Sequence, residues 1–217
     1  MTVAETQSFY ARWARAYDYL CRFLPGLGGL RRATADALAL SPGDTVVDLG
    51  CGTGANLPYL RERVGPSGTV VGVDLTPGML AQARRRVDRN GWRNVHLVQG
   101  DATHPPVADV DAVMGSFVVG LLPDPASAVR RWLNCLTDGG RVAVLEAGRS
   151  NHPVARHLNR AFDAFVAAGS PSDDRDAPSE VLDDRIAAAR GALAEDATLP
   201  RDERRVAGFV HLFAAER

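Results

Sequence analysis

Asp48-Leu49-Gly50-Cys51-Gly52-Thr53-Gly54 sets a carboxylate two residues before the first of three alternating glycines. The apolar run Thr45-Val46-Val47 before it reads as a strand, and a helical pattern starts near Asn56. Strand, glycine turn and helix form the layout that brings a backbone close to a nucleotide-like ligand. The acid decides which kind. A dinucleotide puts a doubly anionic pyrophosphate at such a turn, where Asp48 would repel it. A ligand with a cationic amino-acid end would be attracted.

S-adenosylmethionine has an ammonium, a sulfonium and no phosphate. The spacing alone does not select it, because Ala55 completes G-x-G-x-x-A, the relaxed dinucleotide fingerprint. An acid about 20 positions on, bonding a ribose hydroxyl, suits either ligand, and Asp74 fills that role. Gly100-Asp101-Ala102 adds an acid at a strand end, placed to accept from an adenine amino group. A closing hairpin would add an antiparallel strand that dinucleotide folds usually lack. These features favour S-adenosylmethionine. A dinucleotide-dependent oxidoreductase and a non-catalytic S-adenosylmethionine-binding protein stay open, as does a structural turn with three solvated aspartates.

Methyl transfer from a sulfonium is an in-line displacement that neutralises charge, so alignment and water exclusion supply much of the acceleration. A carbon or oxygen acceptor also needs a base. The candidates are Tyr17, His152 and His104, with Tyr10 and Glu146 behind them. His152 and His157 are five apart, do not share a helical face, and make poor metal ligands; no metal is expected. Cys51 reads as a small residue tolerated in a tight turn. Arg84-Arg85-Arg86 reads as a solvated helix face. The Phe162/Phe165 stripe is either plain core or the wall of an apolar acceptor pocket.

The elements that must position these groups alternate. Two helices are predicted over residues 3–40, broken at Pro25-Gly26. Strands follow at 45–49, 69–74, 95–98, 111–116 and 141–146, with helices over 56–64, from Pro77, and from Asp124-Pro125 to about Leu136. Thr76 is the expected cap of the second helix. An amphipathic helix is predicted from Asn151 to Ala168, a loop over 170–179, a helix over 180–194, and a hairpin from 198–206 and 209–215. Near-continuous apolar strands separated by helices argue for a parallel sheet covered on both faces, an α/β doubly wound sandwich.

Composition excludes several classes. The chain has 217 residues, enough for one domain with a full core, and a net charge of −1, so no nucleic-acid partner is expected. It contains no lysine, which removes P-loop, Schiff-base and Tyr-x-x-x-Lys chemistry. Cys21, Cys51 and Cys135 lack ligand-like spacing. No apolar run approaches ~18 residues, and the N-terminus lacks signal-peptide regions, so a cytoplasmic protein is the expectation. Peripheral membrane contact is compatible with that reading, as is a monomer or a homodimer.

The chain resembles the class I S-adenosylmethionine-dependent methyltransferases over about residues 40–150. The motifs are Val46 to Gly54, Gly72-Val73-Asp74-Leu75-Thr76-Pro77-Gly78-Met79-Leu80, Gly100-Asp101-Ala102, and Leu136-Thr137-Asp138-Gly139-Gly140-Arg141. The resemblance implies a Rossmann-like seven-stranded sheet, order 3-2-1-4-5-7-6, with strand seven antiparallel. It also implies a helical lid over 1–40 and a methyltransferase domain over 41–217. By the same resemblance Asp48, Gly50, Cys51 and Gly52 face the methionine end and Asp74 the ribose. Leu75 and Met79 face the adenine ring and Asp101 and Ala102 its edge, while Ser116 and Phe117 lie near the sulfonium and the acceptor. Within the superfamily the chain is similar to the ubiquinone/menaquinone-type methyltransferases of lipophiles, through Tyr17-Asp18, Gly140 to Glu146, and the helix after Pro153. That similarity implies a small lipophilic or aromatic acceptor. After strand four the family usually carries an Arg-Asn pair, where this chain has Val118-Val119-Gly120-Leu121-Leu122.

Overall fold

The computed structural model describes residues 26–169 and 178–217. Tyr10, Tyr17, Cys21 and the first predicted helix lie outside the described residues, as does most of the 170–179 loop. Helix α1 (Leu27–Ala37) precedes an alternating series. That series is β1 (Thr45–Leu49), α2 (Leu57–Val64), β2 (Thr69–Asp74), α3 (Pro77–Asn90), β3 (Val95–Gln99) and β4 (Val110–Ser116). Then come α4 (Pro125–Asn134), β5 (Leu136–Ala147), α5 (Asn159–Gly169), α6 (Pro178–Asp196), β6 (Thr198–Arg205) and β7 (Val210–Glu216).

The strands form one sheet in the order β3-β2-β1-β4-β5-β7-β6. Neighbours from β3 to β5 run parallel, and β7 is antiparallel to both β5 and β6. This is the order and direction expected from the sequence.

Strand alternation divides the core, since successive side chains point to opposite faces. Val47, Leu49, Val113, Val142, Val144 and Phe213 lie on one face with Trp132 of α4 and Ile186 of α6. Val46, Val70, Ala112, Ala143, Leu145 and Leu212 lie on the other with Leu30 of α1, Leu57 of α2 and Val87 of α3. Helix α1 is therefore part of the same core as the sheet. Gly115 is required by a close approach: a Cβ there would sit 2.7 Å from the Trp132 ring, whose Nε1 donates to the Ala102 carbonyl at 2.7 Å.

Two stretches differ from the pattern-based expectation. Strand β5 begins at Leu136, five residues early, because Leu136 pairs with Val110 before a bulge restores pairing at Ala112 and Arg141. The predicted helix from Asn151 is instead a turn and a 3-10 segment, Ala155–Leu158, before α5. The Asn159 side chain accepts from the Ser150 N–H at 2.9 Å and donates to its carbonyl at 3.0 Å, which folds the chain back before a helix can start. The parallel strands end at Leu49, Asp74, Gln99, Ser116 and Ala147, on the edge where β7 begins. In open α/β sheets that edge, at the switch in strand order, is where ligands bind.

Candidate functional site

Asp48 is fully buried on β1 between Gly72 of β2 and Met114 of β4. Its Oδ1 accepts from Asn56 Nδ2 at 2.9 Å, and Asn56 Oδ1 accepts from Arg31 Nη1 at 2.7 Å. Asn56 stands where a helix cap would, yet makes no cap bond, because its amide is committed to Asp48 and Arg31. Asp48 Oδ2 is buried and has no hydrogen-bond partner. Burial pushes the carboxyl up to about 7, opposed by the Asn56 bond and the Arg31 charge and assisted by Asp74. An orphaned buried acceptor costs about 1–3 kcal/mol, a cost that a cationic donor arriving at the site would relieve.

The glycine turn is braced from β2. Asp74 Oδ2 accepts the Gly52 N–H at 2.8 Å and Oδ1 accepts the Thr76 N–H at 2.8 Å. Thr76 precedes α3 as expected, but its side chain makes no cap bond. An ionised carboxylate has about four acceptor positions, so Asp74 keeps capacity for a ligand hydroxyl. Gly52 adopts φ 54 and a Cβ there would meet nothing within 4 Å, leaving open space above the turn. Gly50 is the reverse case: its Cβ would fall 2.6 Å from Val118 Cγ2. Cys51 is buried, and burial together with Asp48 and Asp74 pushes its thiol up, so it is inert as a nucleophile.

Beside the turn, Leu75 is half-buried and Met79 is buried in the first turn of α3. Asp101 Oδ1 accepts the Thr103 N–H at 2.8 Å just past β3, and Ala102 is buried beside it.

At the end of β4, Ser116 is buried and its hydroxyl has no partner. Phe117 has φ 56, unusual for a bulky residue, and its N–H donates to the Leu145 carbonyl at 2.8 Å. Glu146 Oε1 accepts from Val118 N–H at 2.8 Å and Val119 N–H at 2.6 Å. Burial pushes Glu146 up to about 7 against those bonds. Glu146 thus fixes the backbone after β4. The Arg31 guanidinium lies 5.7 Å from the centre of the Phe117 ring.

The fold gathers Asp48, Gly50, Cys51, Gly52, Asp74, Ser116 and Phe117 at the ends of three neighbouring strands. The base candidates are set apart. His104 is exposed beside Thr103 Oγ1 at 2.9 Å, and His152 is exposed with Nδ1 accepting the Val154 N–H at 3.3 Å. Tyr17 lies outside the described residues. Phe162 packs against Phe209, ring centres 5.7 Å apart. Among the described residues no group of three or more His, Cys, Asp or Glu is placed to hold a metal ion. Sequence reasoning did not find Arg31 or the amide of Asn56. The one available signal was a cap-type residue directly before Leu57-Pro58.

A model of the methyltransferase domain family matches residues 46–140. Aklanonic acid methyltransferase DauC of Streptomyces sp. (strain C5) is 44% identical over 103 residues, 46% of this chain and 47% of that protein. Demethylmenaquinone methyltransferase of Lactobacillus johnsonii is 31% identical over 158 residues, 70% of this chain and 64% of that protein. The chain spans less than two thirds of the length of either relative. A putative S-adenosyl-L-methionine-dependent methyltransferase from Methanococcus maripaludis superposes with a TM-score of 0.67 at 17% identity, covering 96% of this chain and 94% of that one. That likeness is one of fold. The chain thus matches the methyltransferase domain family over residues 46–140, and in motif and sheet order it is similar to the class I, S-adenosylmethionine-dependent methyltransferases, with quinone-type relatives among them.

Proposed function

We propose that the chain transfers the methyl group of S-adenosylmethionine to a small lipophilic or aromatic acceptor. The observation that carries the reading is the buried, unpartnered Oδ2 of Asp48 beside a glycine turn with open space over Gly52. An anionic acceptor in that place fits an ammonium and opposes a pyrophosphate. Gly50, Cys51 and Gly52 shape the turn, and Asp74 offers its remaining acceptor positions to the ribose. Leu75 and Met79 supply the adenine face, Asp101 and Ala102 its edge. Ser116 and Phe117 stand towards the sulfonium and the acceptor.

When bound, the cofactor supplies a methyl group on a positively charged sulfur. The chain's own part is to align the reacting atoms and exclude water, through the Phe117 to Leu122 backbone that Glu146 holds. The apolar run after β4 favours an apolar acceptor, and the relatives' names, for aklanonic acid and demethylmenaquinone, support an aromatic one. Where the acceptor must lose a proton, Tyr17, His152 and His104 are the groups to substitute first.

Thermal shift with S-adenosylmethionine, S-adenosylhomocysteine and NAD(H) tests the cofactor, since only a binder of the folded state stabilises it. Release of S-adenosylhomocysteine over a panel of quinols, phenols and amines tests the acceptor. Stabilisation by NAD(H) alone would overturn the reading. Binding of S-adenosylmethionine with no turnover on any acceptor would favour a non-catalytic binder.

A further inference from the structure

Arg31 is an unusual residue for the inner face of a helix. Only 6% of it is exposed, and among the described residues it makes no direct ion pair. A buried cation without compensation is costly. Its compensation is Asp48, reached through one amide. Asn56 turns Oδ1 to the guanidinium and Nδ2 to the carboxylate, at 2.7 and 2.9 Å. The opposite orientation would set the amide NH2 against a cation and the carbonyl against an anion, so the two charges fix how Asn56 points. With Oδ1 of Asp48 held in this way, Oδ2 is the oxygen left for a ligand.

The same guanidinium lies over the ring of Phe117, in the left-handed backbone position that ends β4. One side chain on α1 therefore touches both the arm that serves the methionine end of the cofactor site and the residue placed nearest the acceptor. The other charged or titratable groups facing Asp48 are Asp74 on β2, which disfavours its ionisation, and Cys51 in the turn. Arg31 is the cation that opposes burial and Asp74 there.

We propose that Arg31 is a positioning residue for the cofactor's amine: acting through Asn56, it keeps Asp48 ionised with Oδ2 presented to the site. This inference rests on the cofactor reading above. It means that the ionised form of Asp48 is favoured before any ligand binds, and that helix α1 is energetically tied to the cofactor site. Removing the guanidinium lets Asp48 take up a proton at a higher pH, and a neutral carboxyl is a poor partner for an ammonium.

The test is calorimetric titration of S-adenosylhomocysteine into the full chain between pH 6 and 9, for wild type, Arg31→Met, Arg31→Lys and Asn56→Leu. The ligand's own amine titrates alike against every variant, so differences between variants belong to the protein. Wild-type affinity should fall as pH drops through about 7. In Arg31→Met that fall should begin about one pH unit higher, which is roughly a fivefold loss near pH 7, approaching about tenfold at pH 6, with a much smaller loss at pH 9. Arg31→Lys should restore part of the shift by restoring the charge. Asn56→Leu should shift the midpoint in the same direction as Arg31→Met, and it carries the comparison if Arg31→Met does not fold. An equal loss at every pH, or an unshifted midpoint in both variants, would overturn the inference while leaving the cofactor reading intact. Failure of the wild type to bind S-adenosylhomocysteine at any pH would overturn the cofactor reading, and the inference with it.

Discussion

The carboxylate of Asp74 accepts the N–H of Gly52 at 2.8 Å, joining the end of β2 to the middle of the glycine turn that ends β1. The residue expected to meet a ribose is thus also a strut of the turn proposed to meet the methionine end. Asp74→Ala removes both roles at once. We expect S-adenosylhomocysteine affinity to fall by about 100-fold, equivalent to about 2.7 kcal/mol, and stability to fall by about 1–3 kcal/mol. His104→Ala, at an exposed position past β3, should change either quantity little. Titration calorimetry and urea unfolding on both variants check this, and equal effects would count against the Asp74 assignment.

Glu146 makes a prediction about pH. Its folded value is raised to about 7 from an ordinary 4.5, so the folded state holds a proton that the unfolded chain releases. The stability this contributes is fully present below about 4.5 and is lost as pH rises through about 7. Asp48, also raised to about 7, acts with the same sign. Glu146→Gln keeps an acceptor for the Val118 and Val119 N–H groups without the ionisation. Its stability relative to wild type should therefore be greater at pH 8 than at pH 5, in urea unfolding at the two values. Glu146→Ala leaves both N–H groups unpaired and should cost about 2–4 kcal/mol at pH 5, and less at pH 8, because it too lacks the ionisation.

Phe117 separates side-chain from backbone effects. Its φ of 56 is one that glycine adopts freely and other residues do not. Phe117→Gly and Phe117→Ala both remove the ring and its contact with Arg31. The glycine variant should nevertheless be more stable than the alanine variant by about 1 kcal/mol, the reverse of the usual order. Thermal unfolding of the two measures it directly.

The fold was readable where local pattern and tertiary environment agree. Strands β1, β2 and β4 are short apolar runs bounded by turn residues, and the closing hairpin is split by Ala207-Gly208. Asp48, Gly50, Gly52 and Asp74 were readable because their spacing along the chain is their geometry. What was not readable depends on elements far apart in sequence. Arg31 reaches Asn56 across 25 residues and Glu146 reaches Val118 across 28, contacts that exist only once the sheet is assembled. The early start of β5 needs the bulge opposite Val110, and the turn at 151–158 needs the Asn159 amide on Ser150. In each case a single long-range or side-chain bond overrode the periodicity.

On the proposed reading, the free oxygen of Asp48 makes this glycine turn a site for a cationic amino-acid end. Titration calorimetry of S-adenosylhomocysteine and of 5′-methylthioadenosine, which lacks that end, against wild type and Asp48→Asn tests it most directly. The substitution removes the charge and keeps the shape. S-adenosylhomocysteine should lose about 2 kcal/mol, roughly 30-fold, on Asp48→Asn, while 5′-methylthioadenosine binds both proteins alike. Unchanged S-adenosylhomocysteine affinity in Asp48→Asn, or an equal loss for both ligands, would contradict the account.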